Sequence, residues 1–439
     1  MNNFIFNLNR IFSISTNVSL NILFRLIIVY MISSMDENYK QCGSHILVIL
    51  GLLNLTYFFS IGSSLRVKAC LYEKEKNILL LGTFFASLTL NFFIGVIAGL
   101  FAYFAIHPIL VFFNQPENVI TYTSYFFKCF SFCLIFNALF QSFQQICIGF
   151  NLVNAVNLVN AFSMILTTSY LSFAIKHSNM KNYWNINFTY PFIVYGLFGS
   201  VILFLILRKR FSFIQMKNLT LSHYICELKT LFKLSFPFCI QNIHGNLIYF
   251  SHILVLGMLA PCLLVAYHIF MQSNLILFII VLGGVQAFGL DSLYPILKRE
   301  KKELIKRTKD FLKAIIFILI IVGIIYFIRI FNHIDSQNYD VETRHDLWIS
   351  YGIAFTSIVI FLIRNGLISS LTNLGDSVFP AIIATAMSLG VGLPTSLCLT
   401  HFIKYPIVAI HLGIITHYII TATILSFRFK NKWRLNFEK

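Results

Sequence analysis

Arg25, Lys128 and Arg364 each fall inside a long apolar run, where an ionisable side chain is costly and marks function by default. Arg25 ends a series, Ser13, Asn17, Asn21 and Arg25, at i, i+4 steps, which places all four on one stripe of a helix. Such a stripe faces either neighbouring helices, through interhelical hydrogen bonds, or a water-filled cavity. Lys128 is followed by Asn137, Gln141 and Gln145, again at four-residue steps among the last three. A third run carries Gln241, Asn242, His244, Asn246 and His252, and a fourth carries Arg364 and Asn365. Lys128 and Arg364 lie about seven residues from their helix ends, so snorkelling to the interface is the alternative reading for both. No acidic residue falls near the centre of any apolar run. A cavity of this sign attracts anions such as phosphate, pyrophosphate or acidic sugars, and the planar Arg fork donates two parallel hydrogen bonds to phosphate. A cavity for organic cations instead calls for carboxylates and aromatics. The candidates for substrate binding are Arg25, Asn21, Asn17, Lys128, Gln141, Asn242, Asn246 and Arg364; those for ion coupling are Asp36, His244, His252 and Asp291. Asp36 also reads as solvated loop charge beside Glu37, and Asp291 as a boundary charge at a helix end.

The elements that must position these residues are membrane helices. Of the 439 residues, 58% are hydrophobic and 11% charged, and the mean hydropathy is +0.79. Soluble domains average about 45–50% apolar and about 25% charged, so this chain cannot cover a water-facing surface. A spanning helix needs roughly 20 mostly apolar residues. Such runs lie near 13–35, 44–65, 78–104, 121–148, 152–175, 189–207, 231–257, 263–290, 311–331, 348–371, 377–400 and 406–427. The expected fold is therefore an all-α polytopic membrane protein of about twelve helices. The runs are too long and too uniformly apolar for barrel strands. The first run follows Arg10 and is full length, which reads as a retained helix and not a cleaved signal. The nine cysteines are scattered without a CxxC pair, so neither a disulfide framework nor a metal site is expected.

The net charge of +17 is distributed as the positive-inside rule requires. Basic clusters follow the second run (Arg66, Lys68, Lys74, Lys76), the sixth (Arg208, Lys209, Arg210, Lys217, Lys229, Lys233), the eighth (Lys298 to Lys313) and the last (Arg428 to Lys439). Residues 105–120 contain no Lys or Arg, and 332–347 carry Asp335, Asp340, Glu342 and Asp346 against Arg344 alone. Both termini and the basic loops are expected in the cytoplasm. Attraction to anionic lipid explains this charge, and no nucleic-acid partner is called for.

The chain also repeats internally. Gly62 and Gly284, Gly149 and Gly375, and Tyr190-Pro191 and Tyr405-Pro406 occupy matching places. The expectation is a six-helix bundle over 1–207, a basic cytoplasmic linker over 208–230 and a second bundle over 231–439. Two bundles of the same orientation make parallel repeats, with the site between them and access alternating by rocking.

Several stretches resemble the superfamily that joins multidrug and toxin extrusion (MATE) transporters with polysaccharide flippases, the MOP superfamily. Leu20 to Ile27, Asp36-Glu37-Asn38-Tyr39, Ile61 to Leu65, Ala266 to Phe270, Leu293-Tyr294-Pro295 and Ile363-Arg364-Asn365 look like the O-antigen flippase branch. Asn114-Gln115-Pro116-Glu117, Gly375-Asp376 with Pro380, and Gly392-Leu393-Pro394 look like MATE proteins. MATE proteins commonly place acidic residues in helices 1, 7 or 10 for cation coupling. Here those regions hold Arg25, His244 or His252, and Phe361 with Arg364.

The flippase resemblance implies a bacterial inner-membrane transporter that moves an undecaprenyl-pyrophosphate-linked oligosaccharide, an O-antigen or other surface-polysaccharide repeat unit used in lipopolysaccharide assembly. Glycosyltransferases and a polysaccharide polymerase are the expected pathway partners, and membrane lipids the surroundings. Asn and Gln side chains then hydrogen-bond sugar hydroxyls while the cationic groups offset the burial of pyrophosphate. The alternative is a MATE-type multidrug or toxin efflux antiporter. A membrane-embedded glycosyltransferase is a third reading, with little loop to hold its active site. The chain carries no Walker A, GxSxG, HExxH or dinucleotide-binding glycine pattern, so a transporter without cofactor or ATPase activity is expected.

Overall fold

Apolar runs of this length fold as helices because, without water, only a helix satisfies its own backbone groups in lipid. The computed structural model describes residues 2–33, 45–46, 49–51, 53, 55–73, 76–115, 117–177, 190–211, 219–259, 264–336 and 340–437, and among these the regular structure is entirely helical. The elements are α1 (Asn2–Ser33), α2 (Leu55–Cys70), α3 (Lys76–Phe104), α4 (Ile106–Phe112), α5 (Glu117–Phe130), α6 (Cys133–Gly149), α7 (Val153–His177) and α8 (Tyr190–Leu207). After these come α9 (Leu221–Leu259), α10 (Leu264–Leu297), α11 (Lys301–Ser336), α12 (Val341–Asn373), α13 (Val378–Met387), a π turn (Ser388–Gly392), α14 (Leu393–Phe402) and α15 (Pro406–Phe437). Among the described residues, eight helices are long and apolar enough to cross a membrane, or nine if α5 and α6 form one broken span.

Some boundaries differ from those expected. The run 121–148 is two helices bent by 56°. At the break the Ser131 carbonyl lies where a side chain on Gly99 would stand, and the Ser131 hydroxyl donates to the Lys128 carbonyl at 2.8 Å. The short α4 occupies part of the basic-free stretch 105–120. α11 runs to Ser336 and α12 starts at Val341, so the acidic stretch 332–347 is mostly helix. α9 begins at Leu221, inside the segment read as a linker.

The chain forms two compact units, unit 1 from Met1–Ser19 with His244–Lys439 and unit 2 from Leu20–Ile243. Within unit 2, α6 packs against α2, α3 and α8, and α7 lies on α8. Glycines bring backbones together here: Gly95 of α3 sits against Ala138 and Ile135, and Gly196 of α8 against Phe136. Within unit 1, α12 packs against α10 and α15, α11 lies on α10, and α14 on α15. Contacts between α11 and α12 run through large rings, with Phe327 on Phe355 and Phe331 on Trp348.

The ends of α6 and α12 share one device. Asn151 (φ 62°) follows α6 and Gly375 (φ 79°) follows α12. In each case the next amide reaches back into the helix, Leu152 N to Cys147 O at 2.9 Å and Asp376 N to Leu371 O at 2.9 Å. This left-handed stop satisfies carbonyls that the last turn leaves open. The left-handed position that Gly375 takes after α12 is taken after α6 by Asn151 and not by Gly149. Gly149 closes α6 and gives room to the Ser64 carbonyl and Val67.

Candidate functional site

Unit 2 has a neutral polar interior built on α6. Asn137 and Gln141 lie four residues apart on one face, and both line a cavity of about 40 Å³ with Asn21 of α1 and Tyr195 of α8. Phe24, Phe130 and Phe192 close its apolar side. Gln141 Oε1 accepts from Thr56 at 2.5 Å. The Tyr195 hydroxyl donates to Asn160, and its ring stacks on Phe24 at 4.4 Å. A separate chain of buried hydroxyls joins Ser63 to Ser87 (2.7 Å) and Ser87 to Ser142 (2.6 Å). A water needs roughly 10–15 Å³ of such volume, so this cavity of about 40 Å³ has room for about three or four waters in the conformation described and none for a sugar ring.

Unit 1 has an interior of different chemistry. His252 of α9 is fully buried, and neither ring nitrogen has a hydrogen-bond partner among the described residues. Its electrostatic neighbours are His411 and His417 of α15, which are also buried. His411 Nδ1 donates to the Ile407 carbonyl at 2.9 Å, and its ring stands edge-on to Phe270 at 4.5 Å. His417 lies 4.4 Å from the Tyr418 ring. Arg364 of α12 is 4% exposed, with its guanidinium over that same ring at 5.3 Å. Tyr249 of α9 hydrogen-bonds Tyr418. The buried hydroxyl of Tyr267 completes the group, with its ring 6.2 Å from His411. The ionisable members of this cluster are imidazole, guanidinium and phenol. Among the described residues, no group of His, Cys, Asp or Glu side chains, these histidines included, is placed to hold a metal ion.

The buried acids of the described chain lie elsewhere, near helix ends. Asp346 caps α15 by accepting from Ile407 N (3.2 Å) and Val408 N (3.0 Å). Glu227 takes a two-pronged bond from Arg66, at 2.8 and 2.5 Å, and Asp376 accepts from Arg428 at 2.7 Å.

Of the residues singled out by sequence, the structure brings Asn21 and Gln141 to one cavity, and His252 and Arg364 into one cluster. Asn17 is buried in the part of α1 that belongs to unit 1. Lys128 is exposed on the last turn of α5. Asp291 pairs with Arg10. Arg25, Asn242, His244 and Asn246 lie on α1 and α9, but their side chains fall outside the described set, as does Asp36 entirely. Sequence reasoning missed His411, His417, Tyr249, Tyr267 and Tyr418. The two histidines were open to the same rule that found His252, since both fall in the apolar run 406–427.

No protein-family model matches the chain, and no curated protein does. Solved structures match it over almost its whole length. A eukaryotic MATE transporter, AtDTX14, aligns with 14% identity over 99% of both chains at a TM-score of 0.78. The Vibrio cholerae MATE transporter VcmN, solved as a mutant, aligns with 13% identity over 99% of this chain and 98% of its own, at 0.79. The fold is that of a MATE transporter. A MOP-superfamily transporter from Pyrococcus furiosus, described as having a binding pocket of reverse polarity that suggests a different function, aligns with 13% identity over 97% and 96% of the two chains, at 0.77. This MATE fold agrees with the all-helical, roughly twelve-span architecture read from the apolar runs.

Proposed function

We propose that this chain is an alternating-access membrane transporter that flips an anionic amphiphile, a lipid-linked oligosaccharide bearing pyrophosphate, across a bacterial inner membrane. The observation that carries the reading is the sign of the unit 1 interior. Arg364, His252, His411 and His417 supply every nitrogen base of the cluster, while the buried acids are engaged at helix ends. A guanidinium held in an apolar interior is a strong partner for a phosphate oxygen. The amide and hydroxyl lining of unit 2 suits sugar hydroxyls, and the MATE fold supports a transporter. The pocket of reverse polarity described for the Pyrococcus furiosus relative is a precedent for this fold carrying such a difference. In this reading both termini face the cytoplasm, and glycosyltransferases and a polymerase act before and after the transport step.

The test is deletion in the native host, with surface polysaccharide examined by gel and drug sensitivity measured in parallel. Loss of long-chain polysaccharide is expected, restored by the wild-type gene and not by Arg364→Gln at equal membrane level. Full polysaccharide from the Arg364→Gln protein would retire the charge role.

A second reading, small-molecule efflux by a MATE-type antiporter, is favoured by the solved relatives and by the aromatic walls of the unit 2 cavity. It predicts raised sensitivity to cationic dyes on deletion, with polysaccharide unchanged.

A further inference from the structure

One fully buried polar group of unit 1 is an imidazole with neither nitrogen bonded among the described residues. A neutral imidazole carries one N–H donor and one bare acceptor nitrogen, and buried polar groups without partners are rare enough to require a cause. His252 is 0% exposed with both nitrogens unpartnered among the described residues, and Tyr267 is 1% exposed with its hydroxyl likewise unpartnered. Two histidines of α15 are the electrostatic neighbours of His252. In His411 the Nδ1–H is committed to the Ile407 carbonyl, which fixes the tautomer and leaves Nε2 as the bare, proton-accepting nitrogen.

The titratable and charged groups of this cluster are Tyr249 on the same helix as His252, Tyr267 on α10, Arg364 on α12, and His411, His417 and Tyr418 on α15; Arg364 acts on His417, Tyr249 and Tyr418. The buried carboxylate of α12, Asp346, is already bonded to two backbone amides and to Ser350. A proton added to this group therefore meets the guanidinium of Arg364, which opposes it, unless an anion shares the site.

We propose that His252, His411 and His417 form a proton-binding site that fills when an anionic headgroup binds at Arg364. The inference rests on the anionic-cargo reading above and adds its coupling ion. Binding is reciprocal by linkage: an anion that raises proton affinity is itself bound more tightly as the proton is taken up. Proton and anionic cargo then occupy the site as a pair that offsets the charge of Arg364. The imidazoles do the work that carboxylates do in a cation-coupled site, with the opposite sign.

The experiment uses the full chain in lipid nanodiscs with 15N-labelled histidine and farnesyl pyrophosphate as the probe. The imidazole nitrogens are followed by NMR at about pH 6 to 7, inside the window where histidine changes charge. Binding of the probe is measured separately by calorimetry. His252→Asn, His411→Asn and His417→Asn assign the signals, and His252→Gln serves where the Asn variant does not fold. The expected result is at least one of these three rings neutral without the probe and doubly protonated with it, and probe affinity that weakens about tenfold from pH 6 to pH 8. A probe that binds while all three rings stay neutral overturns the proton site and leaves the anionic-cargo reading in place. A probe that does not bind retires both.

Discussion

In unit 2, Glu227 on α9 takes both prongs of Arg66 on α2, and Ser235, two turns on, lies against Gly62 of α2. In unit 1, Arg10 on α1 reaches Asp291 on α10, and Ser15, just over a turn on, lies against Gly283 of α10. Each unit thus joins a helix to its partner by one ion pair and one serine-on-glycine contact, but the charges are exchanged. The incoming helix is acidic in unit 2 and basic in unit 1. Both units keep room for a serine on a glycine, and the charge is inverted with both partners changed. The interiors diverge further: amides and hydroxyls in unit 2, imidazoles and a guanidinium in unit 1.

The largest effect expected on this comparison comes from the buried end. The Glu227 side chain is 3% exposed and that of Arg66 15%, and Glu227 also accepts from Thr83 at 3.0 Å. Removing one member of a buried pair costs about 3–5 kcal/mol when the other is stranded; here Arg66 keeps Glu73 at 2.7 Å, which sets that range as the upper bound. Glu227→Ala is therefore expected to lose most of its folded yield in a detergent thermal-stability assay. Asp291→Ala should lose less, because the Asp291 and Arg10 side chains are 18% and 11% exposed. Equal losses would mean that burial does not set the ranking.

The glycines come next. A Cβ on Gly283 meets the Ser15 backbone, Cα at 2.6 Å and N at 2.7 Å, whereas on Gly62 it meets chiefly the Ser235 Oγ at 2.1 Å, with Cα at 3.0 Å. A hydroxyl rotates away and a backbone does not. Overpacking costs about 1–3 kcal/mol, so Gly283→Ala should fall in that range and Gly62→Ala below it. The reverse order would break the correspondence.

A smaller effect tests the unit 2 network. Tyr195→Phe removes the donor to Asn160 and keeps the ring against Phe24. The expected loss is about 1 kcal/mol in the same assay, and an unchanged melting temperature would show that the network is not structural.

These regions were unevenly legible in the sequence. The spacing of Asn137 and Gln141 gave the polar face of α6, and the apolar runs gave the helices, because both are local periodicities. The break at Ser131 was hidden, since no proline or glycine marks it; the glycine it lies against, Gly99, is on another helix. Glu227 was hidden too, in a basic stretch read as a linker that α9 in fact enters. The joining of His252 to His411 and His417 across more than 150 residues depends on which helices converge, and no local pattern carries that.

The smallest effect concerns charge at the surface. Lys404 bonds Glu342 at 2.8 Å, spanning the loop before α15 and the first turn of α12, and this pairing holds the Lys404 ammonium above its ordinary range. A raised lysine contributes stability that is fully present below its unfolded value and is lost as pH climbs through the higher folded one, so any contribution persists through neutral pH and fades only in strong alkali. Both side chains are about two-thirds exposed, at 65% and 67%, and such pairs contribute little once water and salt screen them. Lys404→Gln should leave the melting temperature unchanged at neutral pH at both low and high salt. A salt-dependent drop would show that this pair, unlike the buried one at Glu227, is sheltered by something beyond the contacts described.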